Sequence, residues 1–300
     1  MALFTKRRGA VLASMAAIAA LSLTACGGDS GGSGDTAGGS GTTFDVAKDV
    51  SISGSATFDK IKKDGSITIG VKEDQPNLGY LDVATKQRSG FDIEIATWLA
   101  ASLGVPADKI NFTPVDSASR EQAIANGDVD LYVGTYSITD KRKAMVGFAG
   151  PYFVTGQGLL VKKGSGITSI EGMNGKTVCS ATGSTPIQNI KDNYKQIKTT
   201  EFDKYSLCVD ALKTGSVDGV TTDEAILIGY AAQDPDALEV VGKPFSTETY
   251  GIGLKKGDTA LCTALDKTLT DGGSTWTKIY DGTLGKSGTK VEQPTVEPCS

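Results

Sequence analysis

The 300-residue sequence contains no histidine and only five cysteines, no two of them in a C-x-x-C arrangement. The absence of histidine removes Ser-His and Cys-His catalysis, together with the commonest metal ligand of proteins. Without a C-x-x-C pair, zinc binding and dithiol redox chemistry are also disfavoured. The Walker A pattern for phosphate binding is absent as well. The sequence therefore predicts a binding protein and not an enzyme, with no metal and no cofactor.

The start of the chain lacks an apolar run long enough to span a membrane. An uncharged run, Gly9–Leu23, follows three positive residues, Lys6–Arg8, and is shorter than the roughly 20 apolar residues of a spanning helix. This layout is typical of a secretory signal. The next residues, Leu23–Cys26, resemble the bacterial lipobox, in which the cysteine is lipidated and becomes the mature N-terminus. We expect residues 1–25 to be a lipoprotein signal peptide. Cys26 then anchors the protein to the outer face of the cell membrane, with an uncleaved anchor or a soluble secreted protein as the alternatives.

Large side chains are also missing from residues 26–43, which after the cysteine contain almost only Gly, Ser, Thr, Asp and Ala. Such a segment has nothing to bury, so we expect a disordered tether. A flexible chain of this length spans roughly 20–25 Å, enough to hold a domain just off a membrane.

The whole chain is acidic, with a formal net charge of −5, which argues against binding to nucleic acid.

One short unit occurs twice. Ala123–Asp130 and Ala211–Asp218 share the pattern A-(I/L)-x-x-G-x-V-D. Each copy is typical of a last helical turn, a glycine in the left-handed cap conformation and the entry to a buried strand. Two copies imply two similar α/β lobes. Ligands bind outside the carboxyl ends of strands in open α/β sheets, and the polar segments after the two copies supply Arg142 and Asp223. A small zwitterion between the lobes would suit that pair.

Strand and helix patterns alternate along the chain, which predicts mostly parallel sheets flanked by helices. The elements after about residue 250 are too few for a third domain and are expected to return to the first lobe. We assign residues 44–155 and 249–300 to lobe 1 and residues 156–248 to lobe 2. The chain would cross between the lobes twice, near Val154–Gly158 and Ser246–Tyr250.

Four cysteines remain once Cys26 is assigned to lipid. Outside the cytoplasm an even number suggests disulfides, and four cysteines allow three connectivities. A bridge between the lobes would oppose hinge motion, so the sequence favours the local pairs Cys179–Cys208 and Cys262–Cys299. Free buried thiols are the alternative.

Four motifs carry a resemblance to a known family: Ser66–Lys72, Gly90–Ala96, Ser137–Arg142 and Phe148–Phe153. Through them the chain, from about residue 66 to 280, resembles the extracytoplasmic solute-binding proteins of polar amino-acid uptake systems. The nearest subgroup is similar to the glutamate-binding lipoproteins of high-GC Gram-positive bacteria. The resemblance implies a two-lobe, type II periplasmic-binding-protein fold and a monomer that delivers an amino acid, with L-glutamate favoured, to an ABC permease.

The resemblance also implies roles for single residues of lobe 1. Arg142 matches the arginine that clamps the ligand α-carboxylate, and a guanidinium can donate two parallel hydrogen bonds to it. A positive charge in the first turn of a helix capped by Thr139 is unfavourable beside the helix dipole, so it needs a reason. Ser137 matches a hydroxyl that contacts the same carboxylate. Thr135 matches a backbone carbonyl that faces the ligand ammonium.

Four further residues complete the implied site. Ser184 and Thr185 lie at a predicted helix start, where free amides bind anions, although a simple helix cap is the alternative. Asp223 has the same alternative and matches the acid that receives the ligand ammonium. Lys72, at the carboxyl end of the first strand, matches a cation for an acidic ligand side chain, whereas a solvated lysine is the plain interpretation.

Some positions depart from the family pattern. The aromatic ring over the ligand, normally within Pro-Pro-Phe-Gly-Tyr, is replaced by Leu78, so we expect Tyr80 or Tyr136 to cover the ligand. Gly158 and Cys179 stand where two relatives of different specificity carry an arginine and a lysine. The ligand therefore stays open among glutamate, aspartate, glutamine and asparagine. A dehydratase-like enzyme on the same scaffold and a sensor are the competing functions.

Overall fold

The computed structural model describes residues 42–287 and 291–299. The predicted signal peptide, Cys26 and the tether up to residue 41 lie outside the described residues. The amide of Thr42 donates to the Glu94 carboxylate at 3.0 Å, so the end of the predicted tether already contacts the folded domain. Across the described ranges, no helix combines the length and the apolar character needed to cross a bilayer.

Helices and strands alternate as predicted. The helices are α1 (Ala56–Asp64), α2 (Phe91–Ser102), α3 (Arg120–Asn126), α4 (Asp140–Lys143), α5 (Thr185–Asn193), α6 (Tyr205–Thr214), α7 (Glu224–Gln233), α8 (Thr259–Asp271) and α9 (Gly273–Gly282). The strands are β1 (Ile67–Val71), β2 (Asp74–Gln75), β3 (Gly79–Leu81), β4 (Arg88–Ser89), β5 (Ile110–Pro114), β6 (Leu131–Tyr132), β7 (Gly147–Thr155), β8 (Gln157–Lys162), β9 (Thr177–Ala181), β10 (Lys198–Phe202), β11 (Gly219–Asp223), β12 (Leu238–Val241) and β13 (Glu248–Leu254).

Two five-stranded sheets form the centres of the two lobes. The first has the order β5-β1-β6-β13-β7 and the second the order β10-β9-β11-β8-β12. In each sheet the first three strands are parallel, and the fourth is antiparallel to both of its neighbours. That antiparallel strand is the one that enters from the other lobe: β13 in the first sheet and β8 in the second. The sheets confirm the predicted mostly parallel, two-lobe architecture.

The two chain crossings lie side by side. Gly156 separates β7 from β8, and a Cβ atom built on it would lie 2.5 Å from the carbonyl oxygen of Ser246 on the returning crossing. Such an approach leaves room only for glycine. The amide of Gln157 donates to the Ser246 hydroxyl at 3.1 Å, and Thr155 pairs with Glu248 in the antiparallel ladder. The crossings therefore form a short two-stranded hinge.

The repeated unit has one structural task in each lobe. Gly127 and Gly215 end α3 and α6 in the left-handed conformation, with φ angles of 79° and 81°. The aspartates that close the two copies, Asp130 and Asp218, each accept the backbone amide at the start of a neighbouring strand at 2.8 Å. The repeat thus fastens a helix end to two strand beginnings, at the edge of each sheet opposite the carboxyl ends.

The returning C-terminal elements complete the core of the first lobe. Trp276 of α9 stacks on Tyr280 at 5.2 Å, meets Phe91 of α2 edge-on at 5.8 Å and donates from its indole N–H to the Tyr152 carbonyl at 2.7 Å. A ring cluster of this kind buries a large apolar area and satisfies its one polar atom. Helix α9 therefore packs in the same core as α2 and β7.

Both favoured cysteine pairs are bonded. Cys179 of β9 joins Cys208 of α6, with an Sγ–Sγ distance of 1.95 Å. Cys262 of α8 joins Cys299 of the C-terminal segment, with an Sγ–Sγ distance of 2.05 Å. Each bond lies within one lobe and leaves the hinge unconstrained.

Candidate functional site

The carboxyl ends of the central strands of both sheets meet across a cleft. Lys72 follows β1, Thr135 lies beyond β6, and Asp223 is the last residue of β11. Because parallel strands end at one edge of a sheet, Lys72 and Thr135 lie at the same edge of the first sheet, and Asp223 lies at the corresponding edge of the second sheet. The hydroxyl oxygens of Ser137 in lobe 1 and Thr185 in lobe 2 are 3.3 Å apart, so the two edges are in contact.

Arg142 is buried in lobe 1 and reaches across the cleft. Thr139 caps α4 by accepting the Arg142 amide at 3.2 Å, as predicted for this helix start. The guanidinium donates to Glu121 Oε1 at 3.1 Å, to the Ser137 carbonyl at 2.7 Å and to the Gly183 carbonyl of lobe 2 at 3.2 Å. A guanidinium has five N–H donors. The described residues engage three of those of Arg142, which leaves two for a ligand. Burial, and then the neighbouring Arg120, lower the pKa of Arg142 to about 10.

Arg120, which the sequence analysis did not select, lies beside Arg142. It is the first residue of α3, is 2% exposed, and its guanidinium carbon lies 4.4 Å from the centre of the Tyr136 ring. It donates to the carbonyls of Thr135 and Gly183 at 3.4 and 3.5 Å, whereas its Nε has no partner in the described part of the chain. The sequence held one signal for it, because a positive charge at a helix start opposes the helix dipole.

Lys72 is a buried cation that no carboxylate within the described ranges pairs with. Its Nζ donates to the Ser117 hydroxyl at 2.9 Å and to the Val115 carbonyl at 3.2 Å. Burial, and then the charge of Arg120, lower the pKa of Lys72 to about 7. A solvated lysine at a strand end is therefore not what the structure contains.

Asp223 is buried and carries one carboxylate oxygen that receives no hydrogen bond. Although it precedes α7, its side chain does not cap that helix. Oδ2 accepts the Tyr250 hydroxyl at 2.6 Å, while Oδ1 is buried without a partner among the described residues. Burial, followed by the nearby Glu248 carboxylate, raises the pKa of Asp223 to about 8. Oδ1 is thus a ready acceptor for a cation.

The two hydroxyls at the start of α5 have different tasks. Ser184 is the N-cap, and its oxygen accepts the Ile187 amide at 3.3 Å, which is the plain interpretation of that position. Thr185 donates instead to Glu248 at 2.9 Å and faces Ser137. A cavity of about 300 Å³ at the mouth of the cleft is lined by Arg142 and by both of these hydroxyl residues.

The structure brings one of the two candidate tyrosines to the site. Tyr136 is fully buried, packs against Tyr132 and Phe148, and lies under both arginines. Tyr80 lies on β3 and lines a separate cavity of about 800 Å³. Leu78, which replaces the family ring, is buried in the core of the first lobe. That Tyr80 or Tyr136 covers the ligand stays a prediction.

Comparison with known proteins identifies the family of this chain. Residues 67–286 match the model of the bacterial extracellular solute-binding proteins, family 3. The chain belongs to this family. The glutamate-binding protein GluB of Corynebacterium glutamicum is 38% identical over 304 residues, which cover 96% of this chain and 94% of that protein. A glutamine-binding protein of Geobacillus stearothermophilus is 41% identical over 256 residues, or 85% of this chain and 95% of that protein.

A solved structure supports the same assignment. The solute receptor for L-cysteine of Neisseria gonorrhoeae matches with a TM-score of 0.74 and 29% identity, covering 80% of this chain and 99% of that one. The predicted two-lobe binding-protein fold is therefore confirmed. The family consists of extracellular solute-binding proteins.

In this family 3 protein the cleft has the chemistry of a charged-ligand site and not of a metal centre. Among the described residues, one group has metal-ligand spacing: Cys262, Asp266 and Cys299. Its two sulfur atoms are bonded to each other, so neither is a thiolate ligand. The cleft instead offers three buried cations and the free Asp223 oxygen, which can together hold a small molecule with carboxylates and an ammonium group.

Proposed function

We propose that this chain is the substrate-binding subunit of an ABC importer and that it captures L-glutamate between its lobes. The observation that carries the proposal is a pair of buried ionisable groups on opposite sides of the cleft, neither of which is paired with an opposite charge. In the described chain, Lys72 donates only to a hydroxyl and a carbonyl and has no carboxylate partner, and Asp223 Oδ1 has no donor. Groups buried in this way are costly unless they are paired. An amino acid with an acidic side chain supplies both missing partners.

The head group of the ligand has a natural place. Arg142, with its two remaining donors, would clamp the α-carboxylate, assisted by the hydroxyl of Ser137 and by Thr185 at the start of α5. The Asp223 Oδ1 atom would accept the ammonium from lobe 2, and the Thr135 carbonyl would face it from lobe 1. The amino-acid head group would thus be held by both lobes, and its binding would favour their contact.

The side chain of the ligand would meet Lys72 and Arg120. Two buried cations suit a carboxylate better than an amide, because an amide would leave their charges unmatched. The similarity to a glutamate-binding protein, GluB of Corynebacterium glutamicum, supports glutamate as the ligand. The similarity to a glutamine-binding protein of Geobacillus stearothermophilus makes glutamine the ligand to compare with it.

Calorimetric titration of the native protein with glutamate and glutamine tests the proposal. Lys72→Met should weaken glutamate by about 2–5 kcal/mol, as when one member of a buried charge pair is removed, and glutamine far less. Lys62→Met, at an exposed lysine of α1, serves as the control and should change neither. Arg142→Ala should abolish measurable binding of both ligands. A native protein that prefers glutamine, or an equal loss of both ligands in Lys72→Met, would rule out the acidic side-chain pocket.

The protein would act as a lipid-anchored monomer beside its permease. The lipobox-like Leu23–Cys26 sequence supports anchoring, and the Gly/Ser-rich residues that follow would supply the reach. Cys26→Ser should release the protein into the medium of growing cells, as followed by immunoblotting of cell and medium fractions. Retention at the membrane without lipid on the mature N-terminus would contradict it.

A further inference from the structure

Thr135 has a backbone conformation that its side chain disfavours. Its φ angle is +47°, in the left-handed region, where a β-branched residue is a genuine outlier. Residues held in this way cluster at functional sites and persist only where their surroundings determine them. Thr135 lies at the carboxyl edge of the first sheet, within the proposed ligand site. What holds it there is therefore a question about ligand binding.

Three side chains from three elements engage all the polar groups of Thr135. Asp92 of α2 accepts its amide at 3.0 Å, Gln75 of β2 donates to its hydroxyl at 3.2 Å, and Arg120 of α3 donates to its carbonyl at 3.4 Å. The bond from the amide is the shortest, and its acceptor is the one carboxylate among the three. With this positive φ, the Thr135 amide donates to a side chain, that of Asp92, and not to the carbonyl of a neighbouring strand.

Asp92 is itself fixed and fully buried. It lies in the first turn of α2 with no exposed surface, and its second oxygen accepts the Tyr152 hydroxyl at 2.8 Å. Burial raises the pKa of Asp92 to about 6, while the bonds from Tyr152 and Thr135 oppose this rise. The side chain is thus mostly ionised at neutral pH, and a carboxylate is a stronger acceptor than a neutral group.

We propose that Asp92 is a positioning residue that holds Thr135 in the left-handed conformation. Ligand capture would then depend on the buried Asp92 carboxylate, although Asp92 does not contact the ligand itself. This inference rests on the proposed function. The strained turn aims the Thr135 carbonyl at Arg120 and the cleft. Without the Asp92 carboxylate, the turn relaxes in the free protein, and ligand binding must then restore it.

The test compares Asp92→Asn in three backgrounds: native, Thr135→Gly and Thr135→Val. Both Thr135 variants lack the hydroxyl, but glycine adopts a positive φ freely whereas valine keeps the strain. Calorimetry with glutamate should show a loss of roughly tenfold for Asp92→Asn in the native and valine backgrounds, of the order of one charged hydrogen bond. In the glycine background the loss should fall to less than about threefold, because no strain remains to be held.

Asp130→Asn is a matched control, because Asp130 also accepts a backbone amide in lobe 1, at the opposite edge of the sheet. It should lower the melting temperature and leave the glutamate affinity unchanged. If Asp92→Asn does not fold, Tyr152→Phe, which removes the hydroxyl that orients Asp92, takes its place in the same three backgrounds. The same loss in all three backgrounds, or no loss in any, would overturn the inference. A native protein that binds no amino acid would overturn the proposed function instead.

Discussion

Lys72 and Asp223 have shifted pKa values for the same reason and in opposite senses. Burial disfavours the charged form of each, so it lowers the pKa of Lys72 to about 7 and raises that of Asp223 to about 8. In the cleft without ligand, each side chain is therefore a mixture of its charged and neutral forms near pH 7.5. A ligand that brings opposite charges to them must change their protonation.

The two ligands should differ in the protons that they exchange. Glutamate favours the charged form of both groups, so Lys72 gains a proton while Asp223 loses one, and the two changes offset each other. Glutamine offers no carboxylate to Lys72 and leaves only the release from Asp223. Near pH 7.5, glutamine should therefore release up to about one proton more than glutamate. Titration in phosphate and in Tris, which differ in ionisation enthalpy, measures the difference.

Lys72→Met provides the check on this assignment, because it removes the group that takes up the proton. In that variant both ligands should release protons to the same extent. Equal release by the two ligands in the native protein would show that Lys72 does not face the ligand side chain.

Single residues also show where sequence reasoning stops. The helix-dipole argument that selects Arg142 applies equally to Arg120 at the start of α3. None of the four family motifs includes Arg120, however. The two arginines differ from ordinary surface cations in being buried. Part of what covers them belongs to the opposite lobe, so their burial cannot be predicted from the local sequence. The carbonyl of Gly183, which both arginines contact, lies in that lobe.

At the scale of elements, the long periodic segments were predictable. The alternation of strands and helices that the sequence predicts is present in both lobes. The small sheet of β2, β3 and β4 was missed, because its strands are two or three residues long and show no alternation. Pairing with distant partners, and not local pattern, defines such short strands.

The repeated unit gives a prediction at this scale, because its two aspartates form the same bond in different surroundings. Asp130 is 4% exposed and also pairs with Lys60 at 2.9 Å, whereas Asp218 is exposed. Asp130→Ala should cost about 1–3 kcal/mol of unfolding free energy, since it leaves the half-buried Thr68 amide unpaired and removes the partner of Lys60. Asp218→Ala should cost about 0.5 kcal/mol or less, because water can replace the carboxylate. Urea denaturation of the full chain compares them, and equal losses would contradict the burial argument.

At the scale of the whole molecule, one helix of lobe 2 is capped by lobe 1. Helix α6 has no side-chain cap of its own at Lys204 and no acidic residue in its first turn. Asp74 of lobe 1 accepts the Ser206 amide at 3.0 Å, and the Tyr230 hydroxyl donates to the same carboxylate at 3.2 Å. Lys204 also pairs with Glu73 at 2.6 Å. These partners lie 131 to 156 residues apart in sequence, so no local pattern predicts them.

These contacts exist only while the lobes touch, so they should bias the protein toward the closed form. Tyr230→Phe removes one of them without changing any charge near the ligand. Losing about 1 kcal/mol of closed-state stabilisation should weaken the apparent affinity by a factor of up to about five, because a ligand binds only the closed fraction and that fraction falls. The factor should be the same for glutamate and glutamine, since Tyr230 selects a conformation and not a side chain.

Calorimetry with both ligands, together with small-angle scattering of the free protein, checks this expectation. Tyr230→Phe should increase the radius of gyration of the free protein, because a larger fraction is open. Tyr194→Phe makes the same change at a half-buried tyrosine of lobe 2 and should alter neither quantity. If the two ligands lose affinity by different factors, Tyr230 acts on the ligand and not on closure. If both affinities stay unchanged, the trans-lobe cap contributes nothing to the closed form, and ligand contacts alone hold the lobes together.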